Sequence, residues 1–185
     1  MSPWALNRLS HALSAGAVIA YPTDTIWGFG CDPLNGASVA RLLRIKQRPV
    51  GKGLILLSSD MQYCDPFVDL EPGQRDILLQ PRERPTTWLV QASEHCPWWI
   101  RGDHATVAIR ITDHPLLQFL CDRLQTPLVS TSANRARRPN ARNALQIRRL
   151  FGDELDCIVT GFDTGGGQPS EIKSLASGTT LRSSN

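Results

Sequence analysis

Short β-branched apolar runs alternate with helix-spaced apolar residues along this sequence, and that alternation restricts the chain to a sheet covered by helices. Trp4, Leu6, Leu9 and Leu13 recur at helical spacing until Gly16 interrupts them, so a first helix is predicted over 4–13. Residues 17–21 are apolar and partly β-branched, and Pro22 closes them, which is the pattern of a buried strand. A second helix is predicted over 37–46 through Val39, Leu42, Leu43 and Ile45, broken before Pro49 because a residue preceding proline avoids the helical region. Residues 54–57, 87–90 and 106–111 read as further strands. Residues 114–124, with Pro115 in the first turn, are predicted helical, 127–130 extended, 144–151 helical and 155–159 extended. A glycine-rich turn at 165–167 and a tail follow.

The chain has 185 residues, which suits one domain over 1–185, since a chain of this size buries roughly 70% of its unfolded surface. The expected fold is a single α/β domain with a mixed sheet. No apolar run approaches the ~20 residues of a membrane span, and the N-terminus lacks a secretion signal, so a cytoplasmic protein with no membrane segment is expected. Cys31, Cys64, Cys96, Cys121 and Cys157 are scattered, odd in number and free of C-x-x-C spacing, which argues for reduced thiols over disulfides or zinc. No Walker loop, G-x-G-x-x-G helix start or H-E-x-x-H motif is present, and the four histidines are dispersed. Any metal is therefore expected to be Mg²⁺ carried by phosphates.

Charge is unevenly spread. From Arg123 to Gly152 there is no acid, while Arg123, Arg135, Arg137, Arg138, Arg142, Arg148 and Arg149 all fall in that stretch. Such a block attracts phosphates, although a solvated basic face without a partner fits the same residues.

Polar segments lie against three of the predicted strands, where ligands of open α/β sheets bind. In an extended segment Ser130, Ser132 and Asn134 share one side, giving three small hydrogen-bonding groups; an ordinary Ser/Thr-rich turn is the alternative. Of only three lysines in the chain, Lys46 and Lys52 fall in one eight-residue segment with Arg48. Lys46 and Arg48, two apart and held extended by Pro49, are expected to aim a point charge and a planar fork at one polyphosphate. Lys52 stands between glycines that permit close backbone approach. A solvated basic turn, with Lys46 favouring the helix C-terminus, is the competing reading.

Residues 20–32 (AYPTDTIWGFGCD), 46–49 (KQRP), 52–55 (KGLI), 108–115 (AIRITDHP), 130–134 (STSAN) and 169–172 (PSEI) together resemble the signatures of the YrdC/TsaC family, in the family's order and over most of the chain. The resemblance implies a YrdC-like fold, a twisted open sheet flanked by helices with a concave basic cleft. It implies synthesis of threonylcarbamoyl-AMP from ATP, L-threonine and bicarbonate with release of pyrophosphate. Partner proteins would then pass the threonylcarbamoyl group to the adenosine beside a tRNA anticodon. Carried onto this chain, Lys46 and Arg48 would hold the triphosphate and carry the catalysis. Ser130, Ser132 and Asn134 would hold the nucleotide, Thr23 and Arg110 the threonine, with Lys52 and Arg142 as further ATP contacts. The chain departs from the family pattern at Arg84, where glycine is usual and where an arginine could crowd the cleft or meet a phosphate, and at Arg135-Ala136 in place of Ser-Gly.

Two other functions fit the residues. One is a non-catalytic RNA-binding or ribosome-maturation module that uses the basic face for tRNA or other RNA; aromatic residues, at 6%, do not interleave with the arginines as stacking platforms would. The other is a carbamoyl-transfer domain of the kind found inside larger hydrogenase-maturation proteins.

Overall fold

In and just before β1 (Ile19–Pro22), successive side chains enter opposite cores: Val18 and Ala20 join one apolar cluster, Ile19 and Tyr21 another. This period-two division makes the strand a two-sided core element. The computed structural model describes residues 1–162 and 167–183. Its further strands are β2 (Trp27–Gly30), β3 (Ile55–Ser58), β4 (Thr86–Gln91), β5 (Thr106–Ile111), β6 (Leu128–Ser132), β7 (Cys157–Ile158), β8 (Glu171–Ser174) and β9 (Thr180–Arg182). They form one open sheet in the order β7-β1-β2-β6-β3-β5-β4-β8-β9. β1 and β7, β3 and β5, and β4 and β8 run parallel; the other neighbours are antiparallel. The result is a single mixed α/β domain.

Among the described residues six α-helices flank the sheet: α1 (Pro3–Ser14), α2 (Gly36–Lys46), α3 (Gln74–Leu79), α4 (Trp98–Arg101), α5 (Pro115–Leu124) and α6 (Ala144–Phe151). On one face α1 and α5 lay Leu9, Leu13, Leu116, Leu117 and Leu120 over Ile19, Tyr21, Leu57 and Leu128. On the other, Val39 and Leu42 of α2, Ile100 of α4 and Ile147 and Phe151 of α6 cover Ala20, Phe29, Leu56, Ile109 and Val129.

β6 joins the two halves of the sheet. Leu128, Val129 and Ser130 pair with Leu57, Leu56 and Ile55 of β3, whereas Thr131 and Ser132 pair with Phe29 and Gly28 of β2. Because side chains alternate, Ser130 and Ser132 lie on the same face as Leu128, Ile55 on the face of Leu57, and Thr23 on the face of Tyr21. That face is covered by α1 and α5 at the apolar residues and open at Thr23, Ile55, Ser130 and Ser132, which line a cleft.

The predicted helices and strands recur within a few residues of their expected ends, and β5 and α6 coincide with their predicted spans. β2 is not among the expected strands, since Gly28-Phe29-Gly30 carries little strand signal of its own. A Cβ on Gly30 would stand 2.7 Å from both Tyr21 Cε1 and the Val129 carbonyl oxygen, so the strand exists by tertiary fit and glycine is what permits it. β8 and β9 occupy the tail, where short runs carry little periodic signal. The expected glycine turn lies outside the described residues except for Gly167.

Gly30→Ala is expected to cost about 1–3 kcal/mol through overpacking against Tyr21 and Val129, read as a lower urea midpoint with an unchanged slope.

Candidate functional site

The open part of the sheet face floors a cavity of about 590 Å³, within the usual range for ligand pockets. Thr106, Ala108 and Arg110, alternate residues of β5, line it together with Ile55 of β3, Ser130, Thr131 and Ser132 of β6 and Gly28 of β2. Ser170, Ile172, Leu181 and Arg182 close one side from the C-terminal strands. Arg48, Lys52, Arg101, Arg110 and Arg182 bring positive charge to the cavity, and no Asp or Glu is among its described lining residues.

One cationic wall depends on a backbone abutment. The Leu54 N–H donates to the Ile100 carbonyl at 2.8 Å and the Asp103 N–H to the Gly51 carbonyl at 3.1 Å. Gly102 has φ +65, and a Cβ there would lie 2.5 Å from the Gly51 carbonyl oxygen, so only glycine lets the two turns meet. Arg48, Lys52 and Arg101 thereby reach one wall. Arg48 Nη2 donates to the carbonyls of Lys52 (3.2 Å) and Gly53 (3.0 Å), while its buried Nε has no protein acceptor. Burial lowers its pKa from the ordinary arginine value.

Arg110 is 5% exposed on the cavity floor. Its Nη2 pairs with Asp24 Oδ1 at 3.1 Å, its Nη1 donates to Thr25 Oγ1 at 3.1 Å, and its Nε is buried without an acceptor. Burial pulls its pKa down, and the neighbouring Asp24 carboxylate opposes that pull. A planar guanidinium that keeps an uncommitted N–H beside its Asp24 partner, in a cavity with no Asp or Glu among its described lining residues, suits a carboxylate.

Thr23 lines the cavity and Lys46 does not, and each is held by hydrogen bonds within the protein. The Thr23 hydroxyl donates to the Ile26 carbonyl (2.7 Å) and accepts from the N–H groups of Thr25 (3.1 Å) and Ile26 (3.2 Å). One proton and two lone pairs are then used, so Thr23 pins the turn and presents Thr25, a hydroxyl overlooked in the sequence, to Arg110. Lys46 does not point with Arg48. It is the last residue of α2, and Gln47 takes a left-handed conformation (φ 53), so the two side chains diverge where an extended chain was expected. The Lys46 ammonium, 3% exposed, donates to the Ser132 carbonyl and, at 3.0 Å each, to the carbonyl and Oδ1 of Asn134. It holds the Ser132–Asn134 turn from behind and is absent from the cavity lining.

The serine segment is placed as expected: Ser130, Ser132 and Asn134 all line the cavity, with Thr131 in addition. Ser132 Oγ donates to Asn134 Oδ1 at 2.7 Å. Lys52 also lines the cavity. Arg142 instead borders a neighbouring depression that shares Thr25, Ile26 and Asn140 with the main cavity. Arg84 is exposed and outside the described cavity lining, so it neither crowds the cleft nor reaches its ligand space. Sequence reasoning overlooked Arg182, whose Nη2 donates to the Ser170 carbonyl at 2.7 Å, and also Arg101 and His104. A lone arginine in an apparently unstructured tail offers no local signal; only the 169–172 segment hinted at Ser170.

The family model for Sua5/YciO/YrdC, described as telomere recombination, matches residues 11–184. The chain belongs to the Sua5/YciO/YrdC family. Among curated relatives in this family, it is 44% identical over 189 residues to a threonylcarbamoyl-AMP synthase of Cellvibrio japonicus, covering 100% of both chains. It is 48% identical over 174 residues to one of Pseudomonas aeruginosa, covering 94% of each. The solved P. abyssi Sua5 complexed with L-threonine superposes with a TM-score of 0.88 at 25% identity, covering 97% of this chain and 53% of that one. The Sua5/YciO/YrdC fold is thus present over essentially the whole chain.

Burial, reinforced by the like charge of Arg48, pulls the Lys46 ammonium from 10.5 down to about 7. Between those values the unfolded chain binds the proton that the folded chain releases, so this residue makes stability rise with pH from about 7 toward 10.5. Below about 7 both states hold the proton and the full penalty persists. Lys46→Met is expected to flatten that rise in urea unfolding at pH 7 to 10; a slope identical to the wild type's would show that the ammonium is not depressed.

Proposed function

We propose that this chain synthesises threonylcarbamoyl-AMP from ATP, L-threonine and bicarbonate, releasing pyrophosphate. The observation that carries the reading is a nucleotide-sized cavity whose described lining holds five cationic side chains and no acid, with the buried Arg110 guanidinium at its floor. A triphosphate and an amino-acid carboxylate are anions suited to that lining. The family's threonylcarbamoyl-AMP synthases and the threonine complex of Sua5 support the choice of substrates.

In this reading Arg48, Lys52 and Arg182 hold the phosphates, Ser132 and Asn134 the nucleotide, and Arg110 with Thr25 and Ser130 the threonine. Lys46 acts from behind, fixing Ser132 and Asn134, and Thr23 fixes Thr25. Arg142 meets ligand only where it extends into the neighbouring depression. The threonine amine and bicarbonate form a carbamate with loss of water. A carbamate oxygen then bonds to the α-phosphorus of ATP as the bond to the β-phosphate oxygen breaks, giving threonylcarbamoyl-AMP and pyrophosphate. The cations neutralise charge on the departing pyrophosphate, and the fixed turns hold the reactants in line. Among the described residues no three His, Cys, Asp or Glu side chains gather, so Mg²⁺ would be held by phosphate oxygens and supply further neutralisation there. No helix among the described residues is long and apolar enough to cross a membrane. Delivery to tRNA through partner proteins completes the reading, with exposed Arg137, Arg138, Arg142, Arg148 and Arg149 available to RNA.

Purified protein given ATP, Mg²⁺, threonine and bicarbonate is expected to release pyrophosphate only when threonine is present. Release that ignores threonine, or none, would sink the proposal, and RNA binding without turnover would favour the non-catalytic module. Arg48→Ala and Arg182→Ala are each expected to lower the rate by about 10²-fold or more with the fold retained by circular dichroism. Arg110→Lys, which keeps the charge but loses the fork, is expected to raise the KM for threonine by roughly tenfold.

A further inference from the structure

Arg135 stands outside the described cavity lining yet ties together the two segments that supply its phosphate and nucleotide side. Its Nη1 donates to the Ile45 carbonyl at the end of α2 (3.1 Å), and its Nη2 pairs with Glu154 Oε1 at 2.6 Å. Its guanidinium lies 5.3 Å from the centre of the Phe151 ring. Phe151 packs edge-on to Phe29 at 4.9 Å, and the Lys46 ammonium lies 5.8 Å from the Phe29 ring. Arg135 and Lys46 therefore grip the two ends of one aromatic pair. Beside them the Ala136 N–H donates to the Lys46 carbonyl at 2.8 Å. The 132–136 loop and the end of α2 are fastened as one unit, with Arg48 emerging from its edge.

We infer that Arg135 is a positioning residue that sets the spacing of Arg48 from Ser132 and Asn134, and so tunes affinity for the nucleoside triphosphate and not for the amino acid. An isolated ion pair this exposed would contribute little. What the guanidinium adds is geometry: a planar fork reaches a backbone carbonyl and a carboxylate at once, and its face packs on an aromatic ring. Lysine can satisfy one of those contacts at a time. Arg110, Thr25 and Ser130 lie on β5, the 23–26 turn and the β3-paired half of β6, none of which Arg135 touches.

The inference rests on the proposed substrates, and calorimetric binding separates the two. ATP with Mg²⁺ and threonine are titrated into the wild type, Arg135→Ala, Arg135→Lys and Arg41→Ala. Arg41 bonds Asp156 and the Glu154 carbonyl, so its loss loosens the backbone behind Glu154 while leaving the contacts of Arg135 with the Ile45 carbonyl and the Phe151 ring in place. The expected result is roughly tenfold weaker ATP binding in Arg135→Ala, partial recovery in Arg135→Lys, and threonine affinity within about twofold throughout. Arg41→Ala should bind both ligands like the wild type. Unchanged ATP affinity in Arg135→Ala, equal losses for both ligands, or the same ATP loss in Arg41→Ala would overturn the positioning role. Should the wild type bind no ATP, the proposed function falls and this inference falls with it.

Discussion

The sheet face that runs through β1, β3 and β6 changes character over two residues, and the molecule is arranged around that change. Leu128, Leu57 and Tyr21 are sealed under α1 and α5; Ser130, Ile55 and Thr23 continue the same rows into open space. Strand side chains alternate strictly, so one register fixes both the buried rows and the cavity floor. A slip of one residue would turn the serines toward the opposite, helix-covered face and bring Val129 and Thr131 to the cavity face. Hydrophobic burial at one end of the strand thus aims the polar groups at the other.

The cavity also shows what fixed backbone can do where side chains are small. Gly30, Gly53 and Gly102 mark places where another chain segment comes too close for a Cβ or where the chain takes a turn suited to glycine. Gly30 lets β2 press against Tyr21 and β6, and Gly102 lets one turn abut another so that three cations reach one wall. These contacts join residues distant in sequence, which is why β2 has no counterpart among the expected strands.

Much of the cavity was legible because its residues sit at strand ends with unusual composition. Ser130, Ser132 and Asn134 show themselves by alternation, and Lys52 and Arg48 by the scarcity of lysine elsewhere. What local sequence does not record has a common physical cause. Lys46 and Arg48 were expected to act together from their two-residue spacing, yet a single left-handed residue, Gln47, sends one inward and one outward. The Thr23 hydroxyl looked available, but a turn consumes its whole bonding capacity. Arg182 arrives from a strand whose partners lie some ninety residues upstream in β4 by way of β8, and no local pattern records such a meeting. Identity of side chains was readable; their direction and prior commitments were not.

Gathering like charges in a sheltered space has a consequence for ligand selection. Burial lowers the ionisation of Arg110, Asp24 and Tyr21 oppose that, and the like charge of Arg182 adds a smaller push in the direction of burial. Five cationic side chains around one cavity attract any small polyanion, which makes charge a poor discriminator among anions. Selection must come from shape and from the uncharged hydroxyls and amides set by β6 and the 23–26 turn. Dissolved counter-ions are therefore standing competitors for the site, and salt composition becomes part of its working environment.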